Sequence, residues 1–200
     1  MRIAVTTAAA AALLAVVAAA PAGARVDVKP GPWCGGTLWK LMTLADTTKA
    51  AVGWTPSATT IADVAKLTPP ARFAPTRSTA FQKQRWALTA VIERYRTASN
   101  GELVFQLFDI NTSIYMNAYV PNPKCLSSST RGRAEIVAAR NAFTKICPAP
   151  TAQWQMLGAT AKLAGVGFWN PVKTTLGALA NGAELRPVTS LQITTGCGIG

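Results

Sequence analysis

The forty residues from Phe81 to Val120, FQKQRWALTAVIERYRTASNGELVFQLFDINTSIYMNAYV, decide the fold. Trp86, Leu88, Ala90 and Ile92 alternate there with Arg85, Thr89 and Glu93, the period of a strand with one face buried. Asn100-Gly101 follows, a dipeptide suited to the positive φ angles of a tight hairpin. Leu103, Phe105 and Leu107 share one face of a second strand, with Val104, Gln106 and Phe108 on the other. Asp109 to Thr112 form the next turn. A third strand carries Ile114, Met116, Ala118 and Val120 on one face and Tyr115, Asn117 and Tyr119 on the other. Pro121 and Pro123 end it, because proline cannot donate to a sheet ladder.

Towards the C-terminus, Ser127 to Thr130 offer N-caps for a helix over 130–146, in which Ile136, Ala139, Phe143 and Ile146 keep helical spacing. Pro148 and Pro150 terminate it. Ala161 to Trp169 returns to strand composition, with Gly165 and Gly167 marking a bulge or a close backbone approach. Asn170 to Gly182 reads as a loop and Glu184 to Ile193 as the last strand, with a break expected at Pro187. Three strands, a helix and two strands predict a mainly β (α+β) domain over 81–195: an OB-like five-stranded barrel with one helix between strands three and four. An SH3-like barrel and an open α+β sheet are the alternatives.

Towards the N-terminus, residues 25–80 alternate short apolar pieces with Ser, Thr and Pro and predict an irregular arm, with Trp33, Trp39 and Trp54 as anchors. One short helix is expected after Thr60, where Ile61, Val64 and Ala65 are helically spaced. Before the arm, Arg2 precedes an apolar run from Ala8 to Ala20, and Ala22-Gly23-Ala24 supplies small residues for cleavage. Residues 1–24 therefore read as a signal peptide cut near Ala24, its run too short to span a bilayer. The expectation is a secreted, extracellular monomer without a transmembrane span.

Four cysteines in an exported chain predict two disulfides. A helix over 130–146, ~24 Å long, separates Cys125 from Cys147, and a five-residue lead-in recovers only ~16 Å. That pairing is disfavoured unless the helix starts at or beyond Gly132. Cys34 with Cys125 and Cys147 with Cys197 is the preferred pairing, the other two staying open.

The chain has 20 Lys and Arg against 8 Asp and Glu and a net charge of +12. The leader removes one basic residue and no acidic one. Such an excess attracts polyanions, whether nucleic acid, acidic glycan or another envelope polymer. It also serves solubility, and the cations are scattered rather than blocked.

No histidine is present. This removes histidine-dependent triads, zinc hydrolase sites and histidine-dependent nucleases. The cysteine spacings hold no metal or redox motif, and no cofactor or metal is expected. Glu93 and Glu102 flank the Asn100-Gly101 turn, the minimum for a glycosidase carboxylate pair, but read better as solvated charges. Glu184 reads as an anchor for the loop from Asn170. The candidate binding residues are Tyr115 and Tyr119 as stacking platforms, with Trp169, and Arg94, Arg96, Lys124 and Lys173 as cations along a ligand backbone. The competing reading is that the arm packs over these tyrosines. The function expected is a secreted non-enzymatic binding or structural module. The alternative is a secreted hydrolase acting on nucleic acid or glycan.

Several blocks carry a resemblance. Cys34-Gly35, Trp39, Thr43 to Asp46 and Thr55-Pro56-Ser57-Ala58-Thr59-Thr60 open the mature part. Ala138 to Phe143 lie in the expected helix, and Gly165-Val166-Gly167-Phe168-Trp169 and Asn181-Gly182-Ala183-Glu184-Leu185-Arg186-Pro187-Val188 close the chain. In these it resembles a family of uncharacterised secreted bacterial proteins. The resemblance implies export and a compact OB-like β body, and no activity. Relatives place histidines where this chain has Lys173 and Arg186, so any metal or proton-transfer role of those histidines is missing here.

Overall fold

The computed structural model describes residues 34–36 and 38–197. The signal peptide read at 1–24 and Trp33 lie outside the described residues. Among the described residues nine helices and strands follow in chain order: α1 (Trp39–Met42), β1 (Gly53–Ala58), α2 (Ile61–Ala65), β2 (Gln84–Thr97), β3 (Leu103–Asp109), β4 (Ile114–Val120), α3 (Arg133–Thr144), β5 (Gln155–Trp169) and β6 (Ala183–Thr195). Short 3-10 turns occupy Lys49–Ala51, Phe81–Lys83 and Pro123–Cys125. The protein is mainly β, a single mixed sheet of six strands in the order β1-β2-β3-β4-β6-β5, with β2 also pairing antiparallel with β5. Among the described residues no helix is long and apolar enough to cross a membrane.

The strand count corrects the expectation of five. The additional strand is β1, parallel to β2, inside the segment read as irregular. Its residues GWTPSA are nearly all exposed, so no period-two pattern announces it. It exists because the front of β2 offers an edge that β3 does not reach: β3 pairs with β2 only from Val91 onward.

The buried face follows the alternation. Leu88, Ala90 and Ile92 of β2 point inward, and after a register shift between Ile92 and Arg94 the next inward residue is Tyr95. Phe105 and Leu107, Met116 and Ala118, Leu163, and Leu185 and Val188 complete the core from the other strands. Helix α3 packs on it through Ile136, Ala139 and Phe143, whose ring lies 5.0 Å from both Tyr95 and Phe105. The Gly165-Val166-Gly167 run carries the expected irregularity: Arg186 and Pro187 together stand opposite Val166. A side chain at Gly167 would strike the carbonyl of Phe81. The break expected at Pro187 is absent, since that bulge lets β6 run through it.

Helix α3 starts at Arg133, not Thr130. Its N-cap is Gly132 in the left-handed conformation, φ +68. A side chain there would run into the Trp54 indole, so the position requires glycine twice over. The Ser127 hydroxyl bonds to Ser129 and Thr130 instead of capping the helix. The disulfides are Cys34–Cys125 and Cys147–Cys197, with Cα separations of 5.2 and 4.6 Å. The late helix start leaves the length argument against Cys125–Cys147 without force; the pairing follows from where the chain segments come together.

The arm is anchored by polar pairs as well as by tryptophan. Arg77, 3 % exposed, donates to Asp46 Oδ2 (2.9 Å) and to the carbonyls of Leu41 (2.8 Å) and Gln82 (3.1 Å). Two guanidinium groups contact the Trp54 ring, Arg85 at 4.6 Å and Arg131 at 4.7 Å from its centroid. The same arginines donate to arm carbonyls, Arg85 to Trp54 and Arg131 to Lys49, Ala50 and Val52. A second small core of Leu44, Val52 and Val166 sits beside them.

Candidate functional site

Residues directly opposite in antiparallel strands share a face, so the registers define the outer surface of the sheet row by row. Arg94 stands opposite Gln106, and Gln106 opposite Asn117. Arg96 stands opposite Val104, and Val104 opposite Tyr119; the next row along pairs Phe108 with Tyr115. On the far side of Arg94, β5 contributes Met156, 65 % exposed. The face thus carries two arginines, two amides and three aromatics over three adjacent strands.

Its polar atoms are unusually short of partners. Among the described residues, six buried side-chain polar atoms lack a hydrogen bond, and five belong to this face: Nε of Arg94, Nε of Arg96, Oε1 of Gln106, and Nδ2 and Oδ1 of Asn117. An unsatisfied buried donor or acceptor costs about 1–3 kcal/mol. Gln106 and Asn117 are 3 % and 1 % exposed. What covers them is the loop between β5 and β6: a Cβ at Gly177 would lie 2.7 Å from Gln106 Cγ and 3.0 Å from Asn117 Oδ1.

That loop is tied down at its ends. Asn170 Nδ2 donates to Glu184 Oε2 (3.1 Å), the anchoring read from the sequence, and the Asn170 amide donates to the Gly182 carbonyl (2.7 Å). Lys173 Nζ donates to the Ala180 carbonyl (2.7 Å). Asn181 Nδ2 reaches the carbonyls of Val64, Ala65 and Leu67 at the end of α2 (2.9, 3.2 and 3.0 Å). Between these ties Val172 and Leu176 are 58 % and 45 % exposed.

Beside the amides lies a buried ionic network. Arg186 bonds Glu102 through Nε and Nη2 and reaches Glu184 Oε1 at 3.4 Å. One guanidinium faces two carboxylates, and the charge of Arg140 also acts on Glu102. Burial pushes the Glu184 carboxyl up to about 7, against a partial pull down from Arg186 and Asn170. Burial opposes the charge on Arg186, but Glu102 and Glu184 more than offset it and raise its pKa. Tyr119 is pushed upward by burial first and by Glu184 next.

The candidate residues separate accordingly. Arg94, Arg96 and Tyr115 are partly exposed and come together on this face; the Tyr115 hydroxyl donates to Glu93 Oε1 at 3.2 Å. Tyr119 is not a platform: it is 6 % exposed, with the Arg186 guanidinium 4.4 Å from its ring centroid. Trp169, 2 % exposed, donates its indole N–H to Thr79 and belongs to the core. The Asn170–Gly182 loop and Arg186 provide the cover that was expected from the N-terminal arm. Lys173 ties the loop, and Lys124 is exposed in the turn after β4. Glu93 and Glu102 do not form a pair, the first serving Tyr115 and the second Arg186. Gln106 and Asn117 were missed as site residues, although strand alternation already places them on the face of Tyr115.

Hollows lie both away from this face and at its end. An open groove of about 400 Å³ runs over Ala58, Ala87, Thr89, Lys162, Ser190 and Gln192, without aromatic side chains. A smaller one of about 190 Å³ adjoins Phe108 between Asp109–Asn111 and Thr160. No group of three or more acidic or cysteine side chains is placed to hold a metal ion among the described residues. Comparison with protein families, with curated proteins and with solved structures returns no match.

Proposed function

We propose that the protein is an exported, non-enzymatic binding module that holds an anionic polymer on the outer face of β2, β3 and β4. The single observation behind this reading is the concentration of unpartnered polar atoms of Arg94, Arg96, Gln106 and Asn117 next to the Phe108–Tyr115 ring pair, whose centroids are 4.8 Å apart. Cations with unpartnered donors beside partly exposed rings form the chemistry that follows a charged, ring-bearing chain. The nearby carboxylates Glu102 and Glu184 are both taken up by Arg186, which favours binding over hydrolysis. Export is supported by the leader-like N-terminus and by the two disulfides. An OB-like closure of β2 to β6, with β1 as an added edge, is supported by the pairing of β2 with both β3 and β5 and of β4 with β6. Membership of the secreted bacterial family rests on the motif blocks alone.

The test is binding of the purified protein to heparin and to single-stranded DNA across a salt series. The reading expects affinity that falls steeply with salt and is weakened in Arg94→Ala/Arg96→Ala. A salt-independent response, or no binding to either, overturns it.

A further inference from the structure

The anionic-polymer reading leaves open what the polymer carries, and the buried amides narrow it. Gln106 and Asn117 stand opposite each other on β3 and β4, both side chains beneath Gly177. Each presents an acceptor oxygen and a donor nitrogen in one plane, and three of those four atoms are buried with no partner. A cover that leaves such groups unsatisfied is a poor permanent lid, since each unmade bond counts against the closed arrangement. The lid is held by bonds at Asn170, Lys173 and Asn181 and by Thr175 against Tyr119, while over the amides it presents Gly177, which has no side chain to bond them.

On this basis we infer that the ligand is a single-stranded nucleic acid, with the Asn170–Gly182 loop as a lid that lifts to seat a base against Gln106 and Asn117. The inference rests on the anionic-polymer reading and deepens it. Planar amides carrying adjacent donor and acceptor match the adjacent donors and acceptors on a nucleobase edge, which is how Asn and Gln discriminate bases. A sugar hydroxyl both donates and accepts and needs no such planar match. Phe108 and Tyr115, one row away, give a neighbouring base a ring to stack on. Arg94 and Arg96, two residues apart on one face, are ~7 Å apart along the strand and follow a chain of regularly spaced phosphates. Trp154, partly exposed with the Arg96 guanidinium 5.0 Å from its ring, adds an aromatic at the opposite end of the face from Phe108 and Tyr115.

Three probes of equal length or charge distinguish the outcomes: a single-stranded oligonucleotide, the same backbone made abasic, and heparin. The inference expects the base-bearing strand to bind at least about tenfold tighter than the abasic one, the scale of one base contact. Gln106→Ala/Asn117→Ala removes that advantage, bringing the two strands to equal affinity, whereas Arg94→Ala/Arg96→Ala weakens both and keeps the ratio between them. Hydrogen exchange of the Val172–Gly177 amides rises when the base-bearing strand binds. Equal affinity for all three probes overturns the inference and spares the anionic-polymer reading, as does tighter binding of heparin, which assigns an acidic glycan instead. Binding of none overturns both. Unchanged exchange in the loop alongside base-dependent affinity overturns the lid. The comparison of base-bearing with abasic strand uses the unaltered protein, so it decides even if the amide variant fails to fold.

Discussion

The guanidinium of Arg186 lies 4.4 Å from the centroid of the Tyr119 ring while binding Glu102 on its edge. Stacking on one side and ionic bonding on the other take both residues out of solvent. A tyrosine read as a ligand platform thereby becomes part of a buried network. Arg186 joins β6 to the start of β3 through Glu102, and to its own strand through Glu184.

Removing this arginine is expected to be severe. Arg186→Met leaves two buried carboxylates without their cation, each keeping only an asparagine amide, Asn100 on Glu102 and Asn170 on Glu184; breaking a buried pair in this way costs about 3–5 kcal/mol. Urea denaturation measures the loss. Glu102→Gln/Arg186→Met, which also removes the orphaned charge nearest Arg186, is expected to recover part of it.

Stability depends on pH through Glu184. Its carboxyl sits at about 7 in the folded protein against an ordinary 4.5, so the native state holds this proton more tightly than the unfolded chain. The contribution is therefore full below about 4.5 and is lost as pH rises through about 7. The loss is on the order of 3 kcal/mol. Thermal melts from pH 4 to 8 are expected to show this decline beyond that of Glu184→Gln, which cannot titrate. A parallel slope in both proteins contradicts the assignment.

Asn181 couples the lid to α2. Its amide donates to three carbonyls at the end of that helix, and its Oδ1 accepts from the Ala183 amide at 3.0 Å. Asn181→Ala is expected to cost about 1–3 kcal/mol and to speed hydrogen exchange in both 61–67 and 170–182. Asn181→Asp places a carboxylate against those carbonyls and is expected to cost more.

The disulfides contribute through the unfolded chain. Closing spans of 91 and 50 residues gives roughly 4.6 and 4.1 kcal/mol in the loop-entropy account. Cys34→Ser/Cys125→Ser and Cys147→Ser/Cys197→Ser are each expected to lower stability by about 2–5 kcal/mol, read as a shift in the urea midpoint. The second pair ties the end of α3 to the end of β6, so its removal is expected to raise exchange in β6 as well.

The local pattern made β2 to β6 and α3 legible, because alternation over Trp86–Ile92 or Leu103–Phe108 records which side of a strand meets the core. Gly165 and Gly167 were legible as a close approach for the same local reason, their missing side chains. The start of α3 was misread because Ser127 to Thr130 have cap chemistry, whereas Gly132 wins through space that Trp54 occupies from seventy-eight residues away. β1 was not legible, since its pairing with β2 needs a backbone edge and leaves no side-chain period.

What the sequence determined by itself is the core-facing side of β2, β3 and β4, the two-disulfide chemistry and the absence of histidine. The tertiary structure decided which outward residues stay outward. Tyr119 and Tyr115 share one face of one strand, yet the β5–β6 loop covers the first and leaves the second partly open. Alternation assigns a side, but cover depends on a segment more than fifty residues along the chain, whose resting place is set by its own bonds to Glu184 and the end of α2.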